Sequence, residues 1–128
     1  MQVKIYYHHT DCGGVVYYAN YLKYLEEART EFLEENGFFI NDMLKQDTLF
    51  VVARQEIDYK CPAVYGDILE VKAWVKDMSA VRMNFDSEIK NQKGQTIVKA
   101  MTVLVCVDSN LKPKAIPPEL KTKIKWTP

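Results

Sequence analysis

An α+β domain, with one long helix laid along a five-stranded and mostly antiparallel sheet, is the fold this sequence predicts. Three observations predict it. Between Tyr18 and Asn36 the apolar side chains recur at spacings of three and four, which is the period of an amphipathic helix. From Leu49 onward the period falls to two and keeps returning through four segments, which is the period of strands. The chain has 128 residues, enough for one core and no second, so residues 1–128 read as a single domain.

The first segment, Val3 to His9, alternates and is rich in β-branched and aromatic residues, and it reads as a strand. Thr10 to Gly14, TDCGG, breaks it. In the helix that follows, Tyr21, Leu25, Ala28 and Phe32 form the apolar stripe, with Leu22 and Leu33 beside them. Lys23, Glu26, Glu27, Thr30, Glu31 and Glu34 form the opposite face. Gly37 can take the positive φ that closes a helix C-terminus. A short helical turn is expected around Asn41 to Gln46.

Leu49, Val51, Ala53, Gln55, Ile57 and Tyr59 are then expected on one face of a strand, with Arg54, Glu56, Asp58 and Lys60 on the other. CPAVYGD breaks the chain. Leu69, Val71, Ala73 and Val75 alternate with polar residues and Trp74, and Val81, Met83, Phe85 and Ile89 repeat the pattern. NQKGQ is a hairpin signal. The last strand, Thr96 to Val107, is almost continuously apolar. It asks for cover on both faces, which predicts a curved sheet or a partner subunit. In the tail, Asn110 to Pro128, prolines exclude a strand, and Pro117-Pro118-Glu119-Leu120 can open a short helix.

Composition narrows the function. Seventeen basic residues balance seventeen acidic ones, which argues against a nucleic-acid binder and leaves self-association little charge repulsion. No apolar run reaches the roughly 18 residues of a membrane span, and the N-terminus MQVKIYYHHTD lacks the apolar core of a signal peptide. Cys12, Cys61 and Cys106 are odd in number and widely spaced, which fits reduced thiols in a cytoplasm and not a disulfide framework or a metal site. Neither a metal nor a cofactor is expected.

Asp11 is the residue best placed for chemistry. It stands in a glycine-rich turn just ahead of the long helix. The first N–H groups of a helix lack internal partners and carry partial positive charge, so they can polarise a carbonyl or hold an oxyanion. A carboxylate folded back beside them can attack that carbonyl or take a proton from water. An aspartate at such a place is, on spacing alone, more often a cap or an Asx-turn. His8 and His9, as neighbours on a strand, point to opposite faces and cannot chelate one metal. His9 is expected either to tune Asp11 through a hydrogen bond or charge, or to be an edge histidine. Cys12 reads as a small packing residue, as do Cys61 and Cys106. Arg29 reads as a helix-surface ion pair, with a subunit contact as the alternative.

The run Asp11-Cys12-Gly13-Gly14-Val15-Val16-Tyr17-Tyr18-Ala19-Asn20-Tyr21, followed by Glu27-Ala28-Arg29, resembles the signature of the 4-hydroxybenzoyl-CoA thioesterase family. That family lies in the hotdog-fold superfamily, in a branch that includes the Tol-Pal-associated (YbgC-type) acyl-CoA thioesterases. Glu56-Ile57-Asp58-Tyr59, Pro62-Ala63 and Tyr65-Gly66-Asp67 resemble its second block. The resemblance implies a hotdog fold, a long helix wrapped by a five-stranded antiparallel sheet.

It also implies an acyl-CoA thioesterase, with Asp11 as nucleophile or general base and the backbone N–H at Tyr18 polarising the thioester. Tyr18 fits the aromatic-substrate branch, whereas YbgC-type enzymes usually carry His there. Tyr21, Tyr59 and Pro62 are expected to line the acyl slot, and Ser79, Arg82 and Lys114 to meet the nucleotide. The implied partners are acyl-CoA or an acyl-carrier protein and further copies of the chain, as a dimer or tetramer. Two other readings stand beside it. A hotdog dehydratase would need a histidine and a carboxylate arranged across the helix. A non-catalytic acyl-thioester binder or scaffold in a lipid or envelope assembly would need neither.

Overall fold

The computed structural model describes residues 1–124; the last four residues of the expected tail lie outside them. The elements run β1 (Gln2–Lys4), a 3-10 turn (Tyr7–His9), α1 (Asn20–Glu35), α2 (Ile40–Lys45), β2 (Leu49–Tyr59), β3 (Ile68–Met78), β4 (Arg82–Lys90), β5 (Thr96–Val107) and α3 (Pro118–Lys123). The five strands form one sheet in the order β1-β3-β4-β5-β2, and every neighbouring pair is antiparallel. This is the hotdog arrangement.

The apolar stripe of α1 explains why the helix lies on the sheet. Tyr21, Tyr24, Leu25 and Ala28 are buried and pack in one cluster with Leu69, Val71, Ile89 and Val98 from three strands. Leu25 is fully buried, a contribution of about 1.5–3 kcal/mol. A second cluster lies under the C-terminal end of α1. There Leu33 meets Met83, Phe85, Leu104 and Cys106, closed below by Met43 and by Ile116, Leu120 and Ile124 of the tail.

The helix ends as expected. Gly37, at φ +86°, lets its own N–H reach the Glu34 carbonyl (2.9 Å) and the Phe38 N–H reach that of Leu33 (2.8 Å), the double bond of a Schellman cap.

Three expectations change. The N-terminal strand stops at Lys4, and His8 and His9 sit in a 3-10 turn. Their rings therefore do not diverge as strand neighbours would; their centroids are 4.0 Å apart. In β2 the single expected face is interrupted by a bulge between Val52 and Arg54. The extra residue flips the alternation. Phe50 and Val52 lie on the helix side, opposite Cys106 and Leu104, while Leu49 and Val51 turn to the far side. Beyond the bulge Gln55, Ile57 and Tyr59 return to the helix side, opposite Thr102, Ala100 and Val98.

The apolar β5 also resolves into two faces. Val98, Leu104 and Cys106 serve the helix side, while Met101 and Val103 share the far side with Arg54, Glu56, Asn84 and Asp86 of the neighbouring strands.

Candidate functional site

The turn that carries Asp11 is held by its own backbone. The Asp11 N–H donates to the Val15 carbonyl (2.9 Å), and the Gly14 N–H donates to the Asp11 carbonyl (3.1 Å). Gly14 has φ +81°, a conformation that costs a residue with a Cβ about 1–2 kcal/mol. The Gly13 N–H donates to Asp11 Oδ1 at 2.8 Å, so the carboxylate makes an Asx-turn. Asp11 is exposed, and Oδ1 is the carboxylate oxygen that the turn engages.

The entry to α1 is tied to the same segment. The His9 carbonyl accepts from the Tyr17 N–H and from Asn20 Nδ2, both at 2.9 Å. The Val16 N–H donates to the Ala63 carbonyl at 2.8 Å. The helix begins at Asn20 with Ala19 as its N-cap, so Tyr18 stands one residue ahead of the cap rather than in the first turn. Among the described residues the N–H groups of Tyr18 and Ala19 have no hydrogen-bond partner, whereas those of Asn20, Tyr21 and Leu22 bond to the carbonyls of Tyr17, Tyr18 and Ala19. Two free donors at the positive end of a 16-residue helix can polarise a carbonyl oxygen.

Tyr18 also lines a groove of ≈ 270 Å³, together with Val15, Val16, Tyr21, Tyr59, Lys60, Cys61 and Pro62. Tyr59 is its centre. Its ring meets that of Tyr18 edge-on at 6.2 Å and that of Tyr21 at 5.8 Å. Burial pushes the phenols of Tyr21 and Tyr59 above their ordinary value, so both are neutral near pH 7.

The structure thus brings Tyr18, Tyr21, Tyr59 and Pro62 together in one groove, next to the Asp11 turn through Val15. Ala19, Lys60 and Cys61 escaped the sequence reading. The signal for Ala19 was its place beside the cap; Lys60 and Cys61 simply follow Tyr59 around the strand end.

Ser79, Arg82 and Lys114 lie elsewhere. The Ser79 N–H donates to the Arg82 carbonyl (2.9 Å), and the Arg82 N–H donates to Ser79 Oγ (3.1 Å). Both residues close the β3–β4 turn. Along β5, Tyr59 pairs with Val98 and Arg82 with Val105, a separation of roughly 23 Å at the strand rise. The Lys114 ammonium donates to the Gln46 carbonyl (3.2 Å), the Asp47 carbonyl (3.0 Å) and Thr48 Oγ1 (3.2 Å), where it caps the end of α2. That position gives no support to a phosphate contact shared with the groove of the same copy.

Cys12 and Arg29 differ from expectation, and His9 loses the hydrogen bond of one reading while the edge-histidine reading stands. His9 does not hydrogen-bond Asp11: its Nδ1 accepts from the Tyr6 N–H at 2.9 Å, because the 3-10 turn folds the ring back along the chain. Burial, then the nearby His8 and Lys23, hold its pKa below the ordinary value. Cys12 is exposed at the turn and does not pack, whereas Cys106 is buried and Cys61 half-buried. Arg29 is buried, and no ion pair among the described residues includes it. Among residues 1–124 no three His, Cys, Asp or Glu side chains cluster as a metal site would require.

Comparison with known proteins gives this geometry a family. Residues 6–124 match the model of the thioesterase-like superfamily. The acyl-CoA thioester hydrolase YbgC of Escherichia coli O6:H1 is 34% identical over 124 residues, covering 96% of this chain and 92% of that protein. The acyl-CoA thioesterase YbgC of Haemophilus influenzae is 37% identical over 121 residues, covering 93% and 88%. The crystal structure of a 1,4-dihydroxy-2-naphthoyl-CoA thioesterase from Synechocystis superposes with a TM-score of 0.88 at 28% identity, over 97% of this chain and 93% of that one.

Proposed function

The chain belongs to the thioesterase-like superfamily and is a thioester hydrolase; from that premise we propose that it cleaves the thioester of a short-chain or aromatic acyl-CoA to the free acid and CoA. The observation that carries this reading is the pairing of two unbonded amides, at Tyr18 and Ala19, with a carboxylate turn one strand-bridge away. In the proposed reaction the thioester oxygen rests against those amides, where the charge that develops on it is stabilised. Asp11 then either takes a proton from the water that attacks the carbonyl carbon, or attacks that carbon itself. In the second case it expels the thiolate and forms an acyl-aspartyl anhydride, which water cleaves to the free acid and the restored carboxylate. The Asx-turn engages Oδ1 and leaves Oδ2 to act. Thiolate leaves and is protonated as CoA.

The acyl group is proposed to lie in the groove of Tyr21, Tyr59 and Pro62. Its three aromatic rings, Tyr18 included, suit an aromatic or short aliphatic chain. Ser79, Arg82 and Lys114 stand away from that groove along the sheet, so the nucleotide contact proposed for them is made at the far end of an extended pantetheine arm or from a neighbouring copy. The bare outer edge of β2, 11 residues long, is the surface on which a homodimer, and from it a tetramer, is proposed to build. Residues 1–128 act in this reading as one hotdog unit of a cytoplasmic assembly, with an acyl-carrier protein as the alternative thioester donor. No helix of the described residues is long and apolar enough to cross a membrane.

The test is thiol release across short-chain, benzoyl and phenylacetyl CoA thioesters, with Asp11→Asn and Asp11→Ala beside the parent. Hydrolysis of at least one thioester, lost in both variants, is the expected result. An unchanged rate in Asp11→Asn overturns the mechanism. Tight binding with no thiol release from any donor overturns the activity and leaves an acyl-thioester binder.

A further inference from the structure

Arg29 is a buried cation that joins no ion pair among the described residues, and the carboxylate that acts on it, Glu26, is itself exposed to solvent. Only 7% of it is exposed. Of its five donors, one is engaged, Nη1 to Thr102 Oγ1 at a long 3.4 Å. The Thr102 hydroxyl donates onward to Gln55 Oε1 (2.8 Å), and Gln55 Nε2 donates to the Met101 carbonyl (3.0 Å), so that chain is already satisfied and offers Arg29 nothing more. Removing a guanidinium from water without an anion is costly.

The same side chain lines a cavity of ≈ 210 Å³ between the C-terminal half of α1, α2 and the start of β2. Leu33, Met43, Leu44, Phe50 and Leu104 make its walls apolar. This cavity is formed by other residues than the groove at Tyr18 and Tyr59. We propose that it is a binding site for a small monocarboxylate with an apolar or aromatic body, whose carboxylate pairs with Arg29.

Size and charge both point to that class. A cavity of about 150 Å³ lined by aliphatic and aromatic side chains holds a benzene, so this one holds an arene with one carboxylate. A planar guanidinium with free donors matches a carboxylate by paired hydrogen bonds. Glu26 also lines the cavity, but it is exposed and its carboxylate accepts from Thr30 Oγ1 at 3.2 Å. Solvent screens its repulsion of the ligand, and removing its charge strengthens binding. The site does not depend on the thioester reading, although a free carboxylic acid is what thioester hydrolysis releases.

Benzoate is the probe, with benzyl alcohol as its uncharged counterpart. The readout is the NMR signal of methionine methyls labelled with carbon-13 in the full chain. Met43 lines the cavity, while Met1, Met78, Met83 and Met101 do not, and substitution of Met43 by Leu assigns its signal. The expected result is a saturable ring-current shift of Met43 with benzoate. Affinity falls roughly tenfold or more for benzyl alcohol and for Arg29→Gln, and rises in Glu26→Gln.

If Met43 does not respond to benzoate, the site is closed or absent and the proposal fails. An equal response to benzyl alcohol shows an apolar hole with no use for Arg29, and overturns it as well. The comparison of the two probes on the parent protein stands even where Arg29→Gln does not fold. Loss of hydrolysis in the Asp11 variants has no bearing on it, so the two readings fail separately.

Discussion

The Asp11 carboxylate accepts the Gly13 amide at 2.8 Å, and a Cβ on Gly13 would stand 3.2 Å from that same Oδ1. The turn and the proposed catalytic group are therefore one structure. An asparagine can accept the same hydrogen bond through its amide oxygen, so Asp11→Asn is expected to keep its denaturation midpoint while hydrolysis falls roughly 10²–10⁴-fold. Asp11→Ala loses the turn bond as well and is expected to cost about 0.5–1.5 kcal/mol on top of the activity. Thiol release and urea unfolding, measured on both variants, separate the two effects. A destabilised Asp11→Asn with normal activity would assign Asp11 to structure alone.

Tyr18 is expected to act through its backbone. Its N–H is free among the described residues, while its ring is exposed and leans on Tyr59. Tyr18→Phe keeps the amide and the ring contact, so kcat is expected within a few-fold of the parent, small beside the 10²–10³-fold that loss of an oxyanion donor costs. Tyr18→Ala removes the wall of the groove and is expected to raise KM more than it lowers kcat. A drop of a hundredfold or more in kcat for Tyr18→Phe would give the chemistry to the phenol instead.

The helix and the four long strands were legible because each rests on local periodicity. The grouping of Tyr21, Tyr59 and Pro62 in one groove came from the family resemblance, because α1 and the end of β2 lie far apart in the chain and no local pattern joins them. The residues that were misplaced depend on longer-range packing. A single bulge in β2 decides that Val52 and not Val51 faces the helix, and nothing in the alternation marks it. Arg29 shares the spacing of the α1 stripe, but its charge pointed to the surface; only the sheet beneath it, with Thr102 in reach, shows it buried. Lys114 is fixed by two carbonyls and a hydroxyl 66 to 68 positions away in the chain, a relation no local pattern contains.

His9 gives the fold a weak acid dependence. Its pKa lies below the ordinary 6.5, through burial first and then His8 and Lys23, and its Nδ1 must stay unprotonated to accept the Tyr6 N–H. Above 6.5 the ring is neutral in the folded and the unfolded chain alike, and pH has no effect through it. As pH falls below 6.5 the unfolded chain takes up the proton first, so stability declines. The decline levels off below the folded pKa. Urea midpoints between about pH 7.5 and 5 are expected to fall in the parent and to fall less in His9→Gln. Equal slopes in both proteins would place the dependence on other groups.

Tyr24 carries the last expectation. It is 5% exposed, and its hydroxyl has no hydrogen-bond partner among the described residues. Burial, helped by Tyr21 and Glu27, raises its pKa to about 12. A buried hydroxyl without a partner costs about 1–3 kcal/mol of desolvation, whereas the ring works for the fold, edge-on to His9 at 6.0 Å and to Tyr21 at 6.2 Å. Tyr24→Phe removes the liability and keeps the ring, so it is expected to be neutral or to stabilise by up to about 1 kcal/mol. Tyr24→Ala opens a cavity in the first cluster and is expected to lose about 3–5 kcal/mol, as aromatic truncations in cores do. If Tyr24→Phe instead destabilises by more than about 1 kcal/mol, the hydroxyl is bonded in the assembled protein. A concentration-dependent midpoint for that variant would then place its partner on a second copy of the chain.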